Sequence, residues 1–589
     1  MKFKNKRIVA LMSILVLSLS ACSLFSLATL LKTTIGVYSI TTDKKSGKDI
    51  EEYKVGDFDF CYKDGEEYLP YLTLSTYNAM ISPYLKPGFK LSVQEGSNSV
   101  AWIGTEENGE YIFAAEINPR VKSVYSAGTL TNALNVGQDY SKSSFYMEMK
   151  NDSEVIRQSS SDPEHYYGNT TYVVYRRNNE TYFPLSLLDS AFSSYTGISH
   201  IFNYNRIIQY DEYDQLNGLI YKIGTKDYTA FSEMKSVIEP VFDNVMPYYL
   251  RKDRMNAFLF IMDAYYGLAY TRKIGSMANY YKSQAYYDYF LSEDTDKRNE
   301  AFYAALGLLD DGHTGVDADE NAPWYTQTYS YGGSHISNMV KVRKQLTENR
   351  KAFYENQGKE VGDIIYSSSG ELAFISFDSF NFEENAYNPD GVTIKPNLHE
   401  TDTYFYFVKT LREIALHYVT KTVVIDVSLN GGGVVGILMK LLALLSKDNH
   451  VPIYIMEDTT NMVQKECTSV DSNGDGQYNQ LDVFGDKFKF VILTSDYSFS
   501  CANAFPFYAK KVLGLTTIGQ TSGGGECTVD EAHLPSGEHF FHSSNLHLGF
   551  FDEDARMWEG DEKGVEPEER YKLDYDHFYD IELMDSLLN

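Results

Sequence analysis

The chain is poor in cysteine and in positive charge. Five cysteines in 589 residues cannot frame a disulfide-dense fold, so order must come from apolar cores, which 43% hydrophobic residues are enough to build. Against 81 acidic residues stand only 52 lysines and arginines, a formal net charge of −29. A surface this acidic repels phosphate backbones and excludes general nucleic-acid binding. Also missing are a histidine cluster at metal-ligand spacing in the first 226 residues and, behind the one run of glycines that follows a buried strand, the lysine and Ser/Thr of a phosphate-cradling loop. The length is that of roughly two to four domains.

What is present concentrates toward the C-terminal end. Phe488 to Cys527 opens on FKFVILTS, continues through YSFSCANAF and closes on IGQTSGGGEC. FKFVILT is β-branched and aromatic throughout, too short for an ordinary helix and suited to a buried strand. CANAFPFYAKKV reads as the helix that follows. Ser500 then stands just ahead of that helix, with the Cys501 N–H aimed where an oxyanion would form, and the helix dipole and its orphan amides favour negative charge there. A serine so placed is a candidate nucleophile; alternatively it, or Ser498, simply caps the helix. A second segment, TKTVVIDVSLNGGGVVGILMKLLALLS, sets a buried-strand run at Val423–Val427 before Asn430, Gly431, Gly432 and Gly433, and then an apolar helix. Consecutive glycines let backbone approach a ligand closely and present bare N–H groups.

Five segments in order, GELAFISFDSF (Gly370–Phe380), VVIDVSLNGGG (Val423–Gly433), VILTSDYSFSCANAF (Val491–Phe505), TTIGQTSGGG (Thr516–Gly525) and GVEPE (Gly564–Glu568), resemble the tail-specific (carboxy-terminal-processing) proteases and their tricorn-core relatives. The resemblance implies an α/β fold with a crotonase-like ββα-superhelix core, and a serine endopeptidase working through an acyl-enzyme. It makes Ser500, the last serine of Ser498-Phe499-Ser500, the nucleophile, and it draws the oxyanion hole from the Cys501 N–H and an amide of the glycine turn, Gly432 or Gly433. Tail-specific proteases place a dyad lysine at the position that is Gly525 here, so no Ser–Lys dyad can form from it. The tricorn-like branch takes its base from an upstream histidine, and ALGLLDDGHTGV supplies His313, whose neutral imidazole can accept the serine proton near physiological pH. A glutamate shortly before GVEPE completes that branch's triad: Glu562, with Glu559 in reserve, both in an acidic run that otherwise reads as a solvated face. Cys501 is itself a thiol beside the nucleophile and a rival reactive group. The other reading is a catalytically inactive peptide-binding surface lipoprotein that kept the cleft and lost the chemistry.

Lys2, Lys4, Lys6 and Arg7 precede an uncharged stretch, Ile8–Leu31, within which Leu19-Ser20-Ala21-Cys22 fits a bacterial lipobox. That pattern implies cleavage before Cys22 and lipidation of its thiol, with residues 1–21 as signal peptide; an uncleaved anchor running to Leu31 is the alternative. Either places the body on the extracellular face of a bacterial cell membrane, with peptide or protein substrates as partners.

Residues 41–226 read as β-rich, with EEYLPYLTLS (Glu66–Ser75) and ETYFPLSLLD (Glu180–Asp189) as a diverged repeat, similar to modules related to the N-terminal domain of copper amine oxidases, which carry no copper chemistry. Residues 227–313 turn to helical periodicity and deliver His313; residues 314–589 form the peptidase core. Thr314–Ser369 is featureless and leaves room for a degenerate PDZ domain. Finally, Asp471 to Asp482 spaces Asp471, Asn473, Asp475, Asn479 and Asp482 as side-chain oxygens, with Gly476 at the sharp turn and the Gln477 carbonyl available. This is the spacing of a structural calcium loop ending in Asp, or else an acidic hairpin that binds nothing.

Overall fold

The computed structural model describes residues 30–42, 49–81, 90–96, 100–105, 111–118, 123–128, 149–157, 164–166, 170–177, 179–196, 198–203, 206–211, 219–222, 246–284, 286–316, 333–383, 395, 397–458, 462–536 and 538–588. The fold is mixed α/β, with a β-rich N-terminal region, a helical segment and a strand–helix core.

At the centre of the core, Leu372–Ser376, Thr422–Asp426, Lys489–Thr494 and Thr516–Gly519 run parallel in that order, and Ile365–Tyr366 adds an antiparallel edge. Every residue of the first two is buried, the near-continuous apolar run that a parallel sheet covered on both faces requires. The period of two decides which side each residue serves. Ala373, Ile375, Val423, Ile425, Phe490 and Ile492 face the helices Thr403–Ala415, Val435–Leu445 and Cys501–Lys511. Leu372, Phe374, Val424, Val491 and Leu493 face Leu346, Phe353 and Tyr354 of Ser334–Asn356 and Met584 and Leu588 of Ile581–Leu588. Full burial of each such side chain is worth roughly 1.5–3 kcal/mol, so both layers are pinned. Ser334–Asn356 lies in the stretch that reads as featureless: its buried residues, among them Met339, Val342, Leu346 and Phe353, hold a helical stripe under a surface otherwise of polar and charged side chains.

A second, antiparallel sheet orders Cys527–His533, His539–Asp552, Val451–Glu457, Met462–Val470 and Met149–Arg157, so the N-terminal region lends the core an edge strand. The helices Tyr248–Tyr265 and Thr295–Gly307 dock on this sheet, and Met277–Lys282 packs against them, Tyr281 donating to the Ala305 carbonyl at 3.0 Å. Phe540 meets Phe258 and Phe302 edge-on at 5.6 Å each, and Arg254 reaches Glu538 at 2.6 Å.

In the N-terminal region each of the two similar segments forms a strand and then a helix: Glu66–Leu72 with Leu74–Ile81, and Glu180–Pro184 with Leu185–Thr196. The two strands are neighbours in an eight-stranded sheet, pairing antiparallel with Phe183 opposite Leu72 and Pro184 opposite Tyr71. Among the described residues no helix is long and apolar enough to cross a membrane. Cys22 and the signal or anchor segment that contains it lie outside the described residues.

Candidate active site

Ser500 occupies the junction between the Lys489–Thr494 strand and the Cys501–Lys511 helix with φ 58 and ψ −126. An L-residue held there stores strain of order 1–3 kcal/mol, the backbone of a nucleophile elbow. Its side chain makes no capping hydrogen bond, which removes the capping alternative. Ser498 is committed elsewhere: its hydroxyl donates to the Val427 carbonyl at 2.7 Å and accepts the Ser495 N–H at 3.0 Å. The Ser500 N–H donates to the Gly524 carbonyl at 2.9 Å.

The glycine turn is shaped around this serine. A Cβ on Gly432, at φ 112, would stand 2.7 Å from Ser500 Cβ and 3.0 Å from its Oγ; on Gly433, at φ 138, it would meet the Phe380 carbonyl oxygen at 2.6 Å. Only glycine fits either place. Asn430, fully buried, knits the turn by accepting the Gly432 N–H at 2.9 Å and donating to the Phe377 carbonyl at 3.2 Å. Gly432 therefore has its amide engaged. Among the described residues the N–H groups of Cys501, Gly431 and Gly433 enter no hydrogen bond, so Cys501 and this turn offer amides to an oxyanion.

The Cys501 thiol is buried and donates to the Gly433 carbonyl at 3.0 Å. Burial pushes its pKa up to about 12, far from the thiolate a reactive cysteine needs. Cys501 and Cys527 are both free and do not pair with each other.

His313 reaches the site from the helical segment. Its ring packs against Phe499, the residue before Ser500, with centroids 4.6 Å apart. The imidazole is 8% exposed, its Nδ1 has no partner among the described residues, and burial lowers its pKa while Asp311 raises it. No hydrogen bond joins it to Ser500; such catalytic bonds commonly tighten only once substrate is bound. Phe499 sits in a slot with glycine on two sides. A Cβ on Gly312 would lie 2.6 Å from the ring, and one on Gly525, at φ 90, would lie 2.7 Å from it. The phenyl ring thus fills the place that a side chain at position 525 would start from.

Glu562 is brought to the same pocket but not to His313. Its Oε2 accepts the N–H groups of Gly525 at 3.1 Å and Glu526 at 3.2 Å, and burial raises its pKa to about 7. It braces the glycine loop. Glu559 pairs with Lys511 at 2.7 Å on the surface, away from the pocket. Three residues of the site escape the sequence: Asp311, although an acid two positions before a histidine favours an Asx-type turn; Phe499, hidden as the middle of Ser-x-Ser; and His335, whose Nε2 lies 3.0 Å from the Gly523 carbonyl oxygen.

The Asp471–Asp482 loop joins Met462–Val470 to the Lys489–Thr494 strand. Asp471 accepts the N–H groups of Gly474 (2.7 Å), Asp475 (3.2 Å) and Gly476 (2.7 Å), and Asp482 accepts those of Asn473 (3.2 Å) and Asn479 (3.0 Å). The acids therefore turn inward. Burial, with Asp471 and Asp475 nearby, raises the pKa of Asp482. Among the described residues no three Asp, Glu, His or Cys side chains converge as a metal cluster. A cation here would depend on amide and main-chain oxygens as well.

The family model for peptidase family S41 matches residues 372–569. No curated protein matches the chain. Among solved structures, a protein from Parabacteroides merdae assigned as a peptidase is 15% identical over 58% of this chain and 97% of its own, with a TM-score of 0.40. Mature CPAF complexed with lactacystin is 11% identical over 57% and 96%, at 0.35. A lipoprotein from Streptococcus agalactiae is 10% identical over 58% and 96%, at 0.32.

Proposed function

We propose, from the match of residues 372–569 to the family model for peptidase family S41, that the chain is a serine endopeptidase in which Ser500 is the nucleophile and His313 the base. Ser500 Oγ adds to the scissile carbonyl carbon as His313 takes its proton. The resulting oxyanion lies between the Cys501 and Gly433 N–H groups at the positive end of the helix. Collapse expels the amine, which takes the proton from His313, and water then repeats the sequence on the acyl-enzyme. The observation that carries this reading is the Ser500 elbow: a hydroxyl that makes no capping hydrogen bond, on strained backbone, faced by a glycine whose Cβ would strike it. A fluorophosphonate probe tests it. Labelling of the parent and loss of labelling in Ser500→Ala is the expected pair. An unlabelled parent would favour the inactive peptide-binding reading, which the missing Ser500–His313 hydrogen bond keeps in view.

Two further parts of the reading concern the surroundings. Lipidation at Cys22, supported by the lipobox spacing, would hold the enzyme at the outer face of the membrane, where peptides and proteins are its substrates; metabolic labelling with a palmitate analogue and Cys22→Ala tests it. A structural calcium ion held by Asp471, Asn473, Asp475, Asn479, Asp482 and the Gln477 carbonyl would stiffen the loop that feeds the nucleophile strand, and the inward-turned acids support that assignment.

A further inference from the structure

His313 has a carboxylate of its own, two residues back in the chain. Asp311 is 3% exposed, and each hydrogen bond it makes is one it accepts. Oδ1 takes the His313 backbone N–H at 3.0 Å, and Oδ2 takes the hydroxyls of Thr314 at 2.6 Å and Ser543 at 2.8 Å. Asp311 is thus held on three sides, by one backbone N–H and two hydroxyls. Ser543 belongs to His539–Asp552 in the core's second sheet, so Asp311 ties the histidine turn to that sheet. One residue further on, Thr314 meets the Ser543 N–H at 3.3 Å, and Gly315 exchanges both backbone hydrogen bonds with Phe541, at 3.1 and 2.8 Å. Asp310 faces the other way and accepts the His335 and Ile336 N–H groups at 3.1 and 3.2 Å at the start of Ser334–Asn356. The turn that presents His313 is therefore bolted between two elements of the core.

We propose that Asp311 is the positioning carboxylate of the base: it holds the His313 turn against Phe499 and lends its charge to the imidazolium that forms when His313 takes the Ser500 proton, while Glu562 fixes the glycine loop instead. The proposal rests on Ser500 and His313 having the roles given above. The charge balance around the imidazole agrees with it. Burial disfavours imidazolium, and Asp311 is the charge that opposes this. Glu562, Glu526, Tyr266 and Cys527 lie around Asp311, and His335 lies across the Phe499 ring, 6.5 Å from it.

The test compares Asp311→Asn with Glu562→Gln by kcat and kcat/KM against pH. Asparagine can still accept the His313 N–H through Oδ1, but it removes the charge. Without that charge the His313 pKa falls further, so the acid limb of kcat/KM should move to lower pH by about one unit, and kcat should fall about ten-fold for the same lost stabilisation of imidazolium. Glu562→Gln should lower activity through the loop and leave the limb in place. A limb unmoved by Asp311→Asn, or moved only by Glu562→Gln, overturns the proposal. If Asp311→Asn does not fold, Ser543→Ala decides, because it loosens the turn while keeping the charge: kcat should fall with the limb unmoved, and a limb that shifts counts against the proposal. Ser500→Ala and His313→Ala separate the two levels. If either of them retains the parent rate, the assignment of nucleophile and base fails before Asp311 is in question.

Discussion

Gly525 is the position where the physical reasoning is most exposed to refutation. Its φ of 90 and the Phe499 ring carbons 2.7 Å from where a Cβ would stand, with Ser500 N at 3.0 Å, make Gly525→Ala costly twice over. The backbone term is about 1–2 kcal/mol for an L-residue in a left-handed conformation. Overpacking against a buried ring that has glycine on two sides adds about 1–3 kcal/mol. Together these predict a loss of roughly 2–5 kcal/mol, or about 4–20 °C in Tm for a domain of this size class. Gly525→Lys should suffer at least as much and should not create a working Ser–Lys pair. The assay is thermal unfolding read beside fluorophosphonate labelling. Because the clash is with one ring, Phe499→Ala in the Gly525→Ala background should recover part of the packing term, a coupling of about 1 kcal/mol or more in a double-mutant cycle. A Gly525→Ala protein with the parent's Tm and labelling rate would refute the steric account and reopen position 525 as a seat for the base.

Gly432→Ala should abolish labelling of Ser500 while the fold persists, since its Cβ would stand 2.7 Å from that of the nucleophile; normal labelling would show that the turn is not built around the serine. Cys501→Ala should retain turnover, and iodoacetamide at neutral pH should leave the parent active, because burial raises the thiol's pKa to about 12; inactivation by the reagent would make Cys501 the reactive group. Activity should fall as pH drops through the His313 pKa, and burial lowers that pKa from its ordinary value of 6.5, so half-maximal kcat/KM should lie below pH 6.5; a midpoint above it would contradict a buried imidazole base. Chelation should lower Tm, and Asp475→Ala should remove that sensitivity; melting curves unchanged by calcium would dismiss the cation.

The parallel core was legible in the sequence because short β-branched runs such as TVVID and KFVILT can bury both faces in no other way. So was the elbow, since a strand, a small-residue turn and a helix in succession leave the chain little choice at Ser500. The glycines at 432 and 433 carry their reason locally, in φ values that side chains disfavour. Ser334–Asn356 was missed because a sparse apolar stripe under many charges gives weak periodicity, and its stability comes from the sheet it covers. Which acid lies beside His313 was not legible, because acids look alike in sequence. Glu562, Glu559 and Asp311 differ only in what surrounds them: one accepts two loop amides, one pairs with a surface lysine, and one is buried and accepts the His313 backbone N–H. The distance in sequence from His313 to Ser500 is closed by Phe540 packing on Phe258 and Phe302 and by Asp311 bonding Ser543. Local sequence therefore determined the elbow at Ser500, whose strained backbone is made by its immediate neighbours, whereas the groups around that serine were decided by tertiary packing, because a charge or an imidazole acts through space and acquires its surroundings only from the groups that fold around it.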